Sequence, residues 1–431
     1  MISLDATIIH VGLPTIGREL GGDLSAIQWI ANAYTLLFAS SLLSGGVLSD
    51  RFGARRLFLI ALVLFTAASA ACGFAPDIRM LVAARAVQGV GAALVLPSSM
   101  ALLVHAFADA KERQRALGVW SAISALAIIA GPVVGGAMVQ SLGWRSIFLI
   151  NLPVGAALFL TAAGSLGRPP RHQRRLDPVG QALAAMALIS LTFAATEARA
   201  LGLTSPWIMG AIALCVASAT LFIVAQAKSN PILPAALLAS PRFRTALLSA
   251  FLYNFAYYGA LFVLSLSLQA HGETPARVGL LFLPMTLATA VAAFSLGRIA
   301  ARIGPRPAIV ASLALGCLGA GAVIVLGETI AGMTLGGLLI GIGGGALPPI
   351  VSVALSDAPA SATGVAAASL NASRQSGGAI GVAVLGSLMA AAPSGSATGE
   401  LMLIALAFAG GALASLHGLG RARDDPAARG R

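Results

Sequence analysis

The sequence predicts an all-α membrane protein of about fourteen transmembrane helices, and three observations predict it. Of 431 residues, 58% are apolar and only 10% are charged, with a mean hydropathy of +0.90. A soluble domain carries about 25% charged residues to wet its surface, so most of this exterior must face lipid. The apolar residues fall in blocks of about 20, the length of helix that crosses a hydrocarbon core. These runs are continuous and rich in Ala, Leu and Gly, whereas barrel strands would alternate over about ten residues. Finally, Lys and Arg are dense in every second loop and sparse in the others.

In chain order, the spans are expected near 1–17, 28–48, 56–75, 79–103, 115–139, 144–166 and 177–199, then 206–227, 244–269, 276–300, 307–327, 330–355, 363–391 and 399–419. The first is short for a spanning helix and has no basic flank or cleavage site, so it is expected to be truncated, with ten or more residues upstream of Met1. An even number of spans puts both termini on one side. Loops on that side and the tail hold twenty Lys and Arg, among them Arg168, Arg171, Arg174, Arg175 and Arg421; the opposite loops hold five. The basic side is the inside, so both termini are expected in the cytoplasm.

An internal repeat sets the domain organisation. Gly46-x-x-x-Asp50-Arg51-x-Gly53-x-Arg55 returns as Gly297-x-x-x-Ala301-Arg302-x-Gly304-x-Arg306, at a constant offset of 251. Both copies end a span and open a cytoplasmic loop, which predicts two parallel halves related by an axis along the membrane normal. The expected divisions are 1–166, an N-terminal six-helix half; 167–230, two inserted central helices with linkers; 231–420, a C-terminal six-helix half; and 421–431, a cytoplasmic tail.

Several functions are excluded or left without support. The net charge of +12 is spent in membrane-flanking loops, so nucleic acid is not the expected partner. Cys72, Cys215 and Cys317 lie in apolar blocks as packing residues, and no CxxC, HExxH or His cluster suggests a metal. No cofactor is expected. A membrane enzyme or receptor would need convergent nucleophiles or a soluble domain, and the longest polar insert, about 167–176, is too short to be one. No phosphate-cradling GxxxxGK[ST] is present, so the energy source for transport would be an ion gradient.

The repeat and its loop resemble the major facilitator superfamily, over essentially the whole chain. Leu4-Asp5-Ala6-Thr7-Ile8-Ile9-His10-Val11-Gly12-Leu13-Pro14 and Trp144–Gly155 are similar to the first- and sixth-helix motifs of its fourteen-span drug:proton antiporter branch. Leu81-x-x-x-Arg85-x-x-Gln88-Gly89-x-Gly91 matches the fourth-helix motif, and Gly118-x8-Ala127-x3-Gly131-Pro132-x2-Gly135-Gly136 resembles the motif of exporters, with Ala127 where Gly is usual. The resemblance implies a secondary active transporter in the inner or plasma membrane. It would export small amphipathic molecules or drugs in exchange for protons by alternating access, as a monomer in contact with lipid. A dedicated exporter of one endogenous metabolite or antibiotic is the alternative.

The candidate residues follow. Asp5 is read as the only carboxylate inside a span, and an intramembrane acid defaults to a functional role; the plainer reading leaves it in water beside Met1. Arg85 would exchange partners as Asp5 gains or loses its proton, unless it snorkels to an interface. Gly46, Asp50, Arg51, Gly53 and Arg55 read as a conformational latch: Gly46 for close helix contact, Asp50 capping a helix of the other half, and the arginines holding contacts between halves. Simple inside-positive anchoring also accounts for the arginines. Gly118, Gly131, Pro132, Gly135 and Gly136 would kink and smooth the fifth helix. Gln88, Tyr253, Asn254, Tyr257 and Arg374 are candidates for a substrate cavity, although aromatic residues also gather at lipid interfaces.

Overall fold

A computed structural model describes residues 1–420 except 108, 168–176, 229–236, 238, 357, 360–362 and 390–396, and leaves out 421–431. Arg168, Arg171, Arg174, Arg175 and the tail with Arg421, Arg423, Arg429 and Arg431 therefore lie outside the described residues. The described residues are helical, with no strand. The helices are α1 (Ile2–Leu20), α2 (Leu24–Phe52), α3 (Ala54–Gly73), α4 (Ile78–Ala106), α5 (Ala110–Leu142), α6 (Ser146–Leu149), α7 (Asn151–Ser165), α8 (Pro178–Leu201) and α9 (Pro206–Lys228). They continue as α10 (Pro241–Ala270), α11 (Pro275–Leu281), α12 (Leu283–Ile303), α13 (Pro305–Leu326), α14 (Ile330–Gly344), α15 (Leu347–Ser356), α16 (Thr363–Met389) and α17 (Thr398–Gly418).

Among the described residues, eleven spans are long and apolar enough to cross a membrane, or twelve with the bent α2, where α6 with α7, α11 with α12 and α14 with α15 each form one. The other two long helices, α1 and α16, are those carrying Asp5 and Arg374, so the expectation of fourteen spans is consistent with this count. The exterior is apolar: Leu160, Trp207 and Val325 are 74, 73 and 81% exposed. Apolar side chains over so much surface have a stable environment only in lipid.

The chain divides into two compact units: residues 1–223 with 268–280, and residues 224–267 with 281–431. In the first, close approach of backbones sets the packing. A Cβ on Gly89 would overlap the Tyr34 carbonyl of α2, and one on Gly91 would press on the Phe65 backbone of α3. The fourth-helix glycines thus wedge α4 between α2 and α3 and aim Arg85 and Gln88 at α1. In α2 the close approach is at Gly45, against the Ala93 carbonyl, while a Cβ on Gly46 would meet nothing. Helix α8 is pinned to α2 at both ends. Glu197 accepts from Ser25 Oγ at 2.5 Å and Trp29 Nε1 at 2.8 Å, and Ser44 donates to Gln181.

In the second unit the same device recurs. Gly319 and Gly336 bring α13 and α14 together, Gly341 meets the Met285 carbonyl of α12, and Gly377 and Gly381 lie on the Phe251 and Phe255 backbone of α10. The two copies of the repeat share backbone geometry. Gly53 has φ 92° and Gly304 φ 91°, each ending one helix and starting the next in a conformation that only glycine adopts without strain.

Candidate functional site

Asp5, the candidate acid, is buried on α1, and Arg85 Nη1 sits 2.6 Å from its Oδ2, with both side chains 1% exposed. Asp5 therefore does not sit in water, and Arg85 does not snorkel. Asp5 Oδ1 accepts from Gln88 Nε2 at 3.0 Å and from Asn151 Nδ2 at 3.4 Å. Arg85 also donates from Nε to the Ile30 carbonyl at 3.2 Å and from Nη1 to Gln88 Oε1 at 2.6 Å. Its guanidinium lies 4.2 Å from the centre of the Tyr34 ring, a cation–π contact strengthened by the dry surroundings. Ser69 Oγ accepts from Gln88 Nε2 at 2.6 Å and from Asn151 Nδ2 at 3.2 Å. Two unlike charges in hydrocarbon persist only when their polar atoms are also met, and here both Asp5 oxygens and Arg85 Nε and Nη1 have partners.

Gln88 is the hub of this arrangement. It donates to Asp5 and accepts from Arg85, so it belongs with the ion pair in the first unit, whereas Tyr253, Asn254, Tyr257 and Arg374 lie in the second. Asn151 and Ser69 escaped the sequence reading. Asn151 stood inside the sixth-helix motif, and Ser69 was a lone hydroxyl in an apolar run. Asp5 was expected to be the only carboxylate inside a span; Glu197 and Glu400 also lie within helices, and Glu400 is only 2% exposed.

The exporter-type motif of α5 packs on the helix that carries Asp5. A Cβ on Gly131 would overlap Thr7, and one on Gly135 would meet Ile8 at 2.6 Å, two and three residues after Asp5. Gly136 faces the Pro275 carbonyl of α11, and Gly279 of α11 faces the Pro132 carbonyl in return. Gly118 has open space around it. Pro132 lacks an N–H, so the α5 ladder is interrupted beside these contacts.

In the last turn of α2, where a loop was expected, Asp50 is half-buried and Arg51 is exposed, its guanidinium 5.8 Å from the Phe52 ring. Arg55 Nη2 donates to the Ala163 carbonyl near the end of α7, inside its own unit. Its repeat counterpart does the same: Arg306 Nη2 donates to the Leu416 carbonyl near the end of α17, at 2.6 Å. Each arginine satisfies an orphan carbonyl at a helix C-terminus, where a cation is also favoured by the dipole. Arg55 was expected to hold a contact between halves; this bond is instead within one unit.

The profile of the Major Facilitator Superfamily matches residues 1–382. The chain belongs to the major facilitator superfamily. A methylenomycin A resistance protein of Bacillus subtilis is 36% identical over 395 residues, covering 90% of this chain and 84% of the relative. The multidrug resistance protein Stp of Mycobacterium tuberculosis is 38% identical over 396 residues, covering 91% and 74%. Among solved structures, an autoinhibited peptide transporter of the POT family aligns with a TM-score of 0.68, covering 97% of this chain and 94% of that one; at 17% identity the likeness is one of fold. This superfamily member is an integral membrane protein.

Proposed function

We propose that this chain exports small amphipathic molecules, drugs among them, across the cell membrane in exchange for protons. The observation that carries the reading is the buried Asp5–Arg85 pair, held at 2.6 Å with Gln88 as a shared partner. A proton arriving on Asp5 cancels its charge and removes the Coulomb attraction that draws Arg85 to α1. Arg85 keeps the Ile30 carbonyl and Gln88 Oε1, so the cation is not orphaned when the acid is neutral. Loss of that attraction frees α1 to shift against α4. Because Gly131 and Gly135 fit α5 to Thr7 and Ile8, a shift of α1 is transmitted to α5.

In this account the two halves alternate in access, both termini are cytoplasmic, and the repeat loops at Gly46–Arg55 and Gly297–Arg306 work on the inner side. The positive-inside distribution of Lys and Arg supports that orientation. Relatives with drug- and antibiotic-resistance names at 36% and 38% identity support export as the direction of transport. The chain acts as a monomer, contacts lipid, and performs no catalytic chemistry. The test uses inverted membrane vesicles loaded with a pH gradient and a panel of fluorescent drugs. Accumulation that collapses when a protonophore is added is expected. Accumulation that survives with every ion gradient dissipated would refute proton exchange.

A further inference from the structure

We infer that the second unit carries a binding site for an amphipathic organic anion, with Arg374 as its charge partner. The inference deepens the exporter reading by naming a cargo class, but binding itself does not depend on that reading.

Arg374 lies eleven residues into α16, about 16 Å along the helix from Thr363, and so at membrane depth. A guanidinium there is costly unless paired, and intramembrane cations mark substrate or ion paths. Among the described residues no carboxylate pairs with it, and its Nε is buried without a hydrogen-bond partner. The other acids of this unit lie elsewhere in the sequence: Glu328 follows α13, Asp357 follows α15, Glu400 opens α17, and Asp424 and Asp425 are in the tail. Among the described residues the cation is thus without a carboxylate paired to it.

The surroundings show what would compensate it. Asn254 on α10 is 1% exposed, and its Nδ2 also lacks a partner. Tyr258 lies over Gly378, one turn beyond Arg374 on α16. The Tyr253 and Tyr257 rings are 5.9 Å apart, and Tyr257 and Tyr258 are 5.8 Å apart at 84°. Both orphaned atoms, Nε of Arg374 and Nδ2 of Asn254, are donors. The missing partner is therefore an acceptor, and a guanidinium whose Nε is buried and unpaired favours one that carries negative charge. The Tyr257 ring, packed against both Tyr253 and Tyr258, supplies with them an apolar wall for the body of such a molecule. A cationic drug would meet repulsion from Arg374, with no carboxylate paired to it among the described residues. The chemistry selects a carboxylate or a comparable anion on an apolar frame.

The experiment measures binding of three matched probes to the purified full-length chain by equilibrium dialysis: 2-naphthoate, 2-naphthamide and 2-naphthyltrimethylammonium. Naphthoate should bind tightest. Arg374→Gln should weaken it by about 10- to 100-fold, the value of one charge-assisted hydrogen bond, while the amide changes little and Arg374→Lys recovers part of the loss. Asn254→Ala should weaken naphthoate by a smaller factor. Equal naphthoate affinity in wild type and Arg374→Gln, or tighter binding of the ammonium probe, would overturn the site. The same probes are then offered to inverted vesicles under a pH gradient. Arg374-dependent binding without gradient-driven movement would uphold the site and refute the exporter reading. Movement of the ammonium probe in preference to naphthoate would uphold the exporter and refute the site.

Discussion

Replacing Asp5 with Asn removes one charge and one acceptor from the pair. The side chain keeps its shape, and the Asn carbonyl oxygen can still accept from Gln88 Nε2, now 3.0 Å from Asp5 Oδ1. What is lost is the counter-charge of Arg85, a side chain 1% exposed, and the acceptor of its Nη1. Breaking a buried pair by removing one partner costs about 3–5 kcal/mol. Arg85 retains the Ile30 carbonyl, Gln88 Oε1 and the Tyr34 ring at 4.2 Å, so the lower end, about 3 kcal/mol, is expected. Denaturation of the purified protein in detergent measures that loss. Adding Arg85→Gln to Asp5→Asn should recover most of the stability, because no charge is then left unpaired. Two transport assays separate stability from coupling. Uphill accumulation driven by a pH gradient should fall to the passive leak in both variants. Exchange of labelled for unlabelled cargo, which needs no net proton movement, should persist in Asp5→Asn. Uphill transport by Asp5→Asn at the wild-type rate would refute the role given to this acid.

Three further outcomes follow from the packing. Gly136→Ala forces a Cβ against the Pro275 backbone and should cost about 1–3 kcal/mol and slow turnover, whereas Gly118→Ala, in open space, should leave both within error; thermal stability and transport rates compare them. Gly53→Ala and Gly304→Ala place a side chain at φ 92° and φ 91° and should each lower stability by about 1–3 kcal/mol, and a neutral result at either would remove glycine's conformational freedom as the reason for the repeat. Glu197→Ala leaves the Trp29 indole N–H without its acceptor and should lower stability by about 1–3 kcal/mol, an effect that Trp29→Phe should largely abolish in the double variant.

The helical membrane fold was legible because lipid imposes a simple rule: every spanning backbone must satisfy itself, so spans read as long apolar runs. The repeat was legible because Gly53 and Gly304 answer a backbone demand that no other residue meets, and such demands survive in sequence. Asp5 and Arg85 stood out as charges in apolar runs. Their link was expected from the resemblance of both motifs to one family, since 80 residues separate them and nothing local joins α1 to α4. Asn151 and Ser69 were harder still, because a neutral polar residue in a span is common and acquires meaning only from its neighbours. For the same reason Gly45 rather than Gly46 is the contact glycine of α2: one residue is a rotation of about 100° on a helix, and the sequence does not say which face meets α4. The role assigned to Arg55 rested on its place in the loop motif, which cannot tell a carbonyl of the same unit from an acid of another.

The central claim is that the acid on α1 exchanges its proton as cargo moves. It is tested most directly in sealed proteoliposomes holding a pH-sensitive dye, with a cargo gradient imposed and no initial pH gradient. Downhill movement of cargo should drive protons in the opposite direction, and Asp5→Asn should silence the dye while cargo still exchanges. Cargo flux with no proton movement in the wild-type protein, or the same proton signal from Asp5→Asn, would contradict the account.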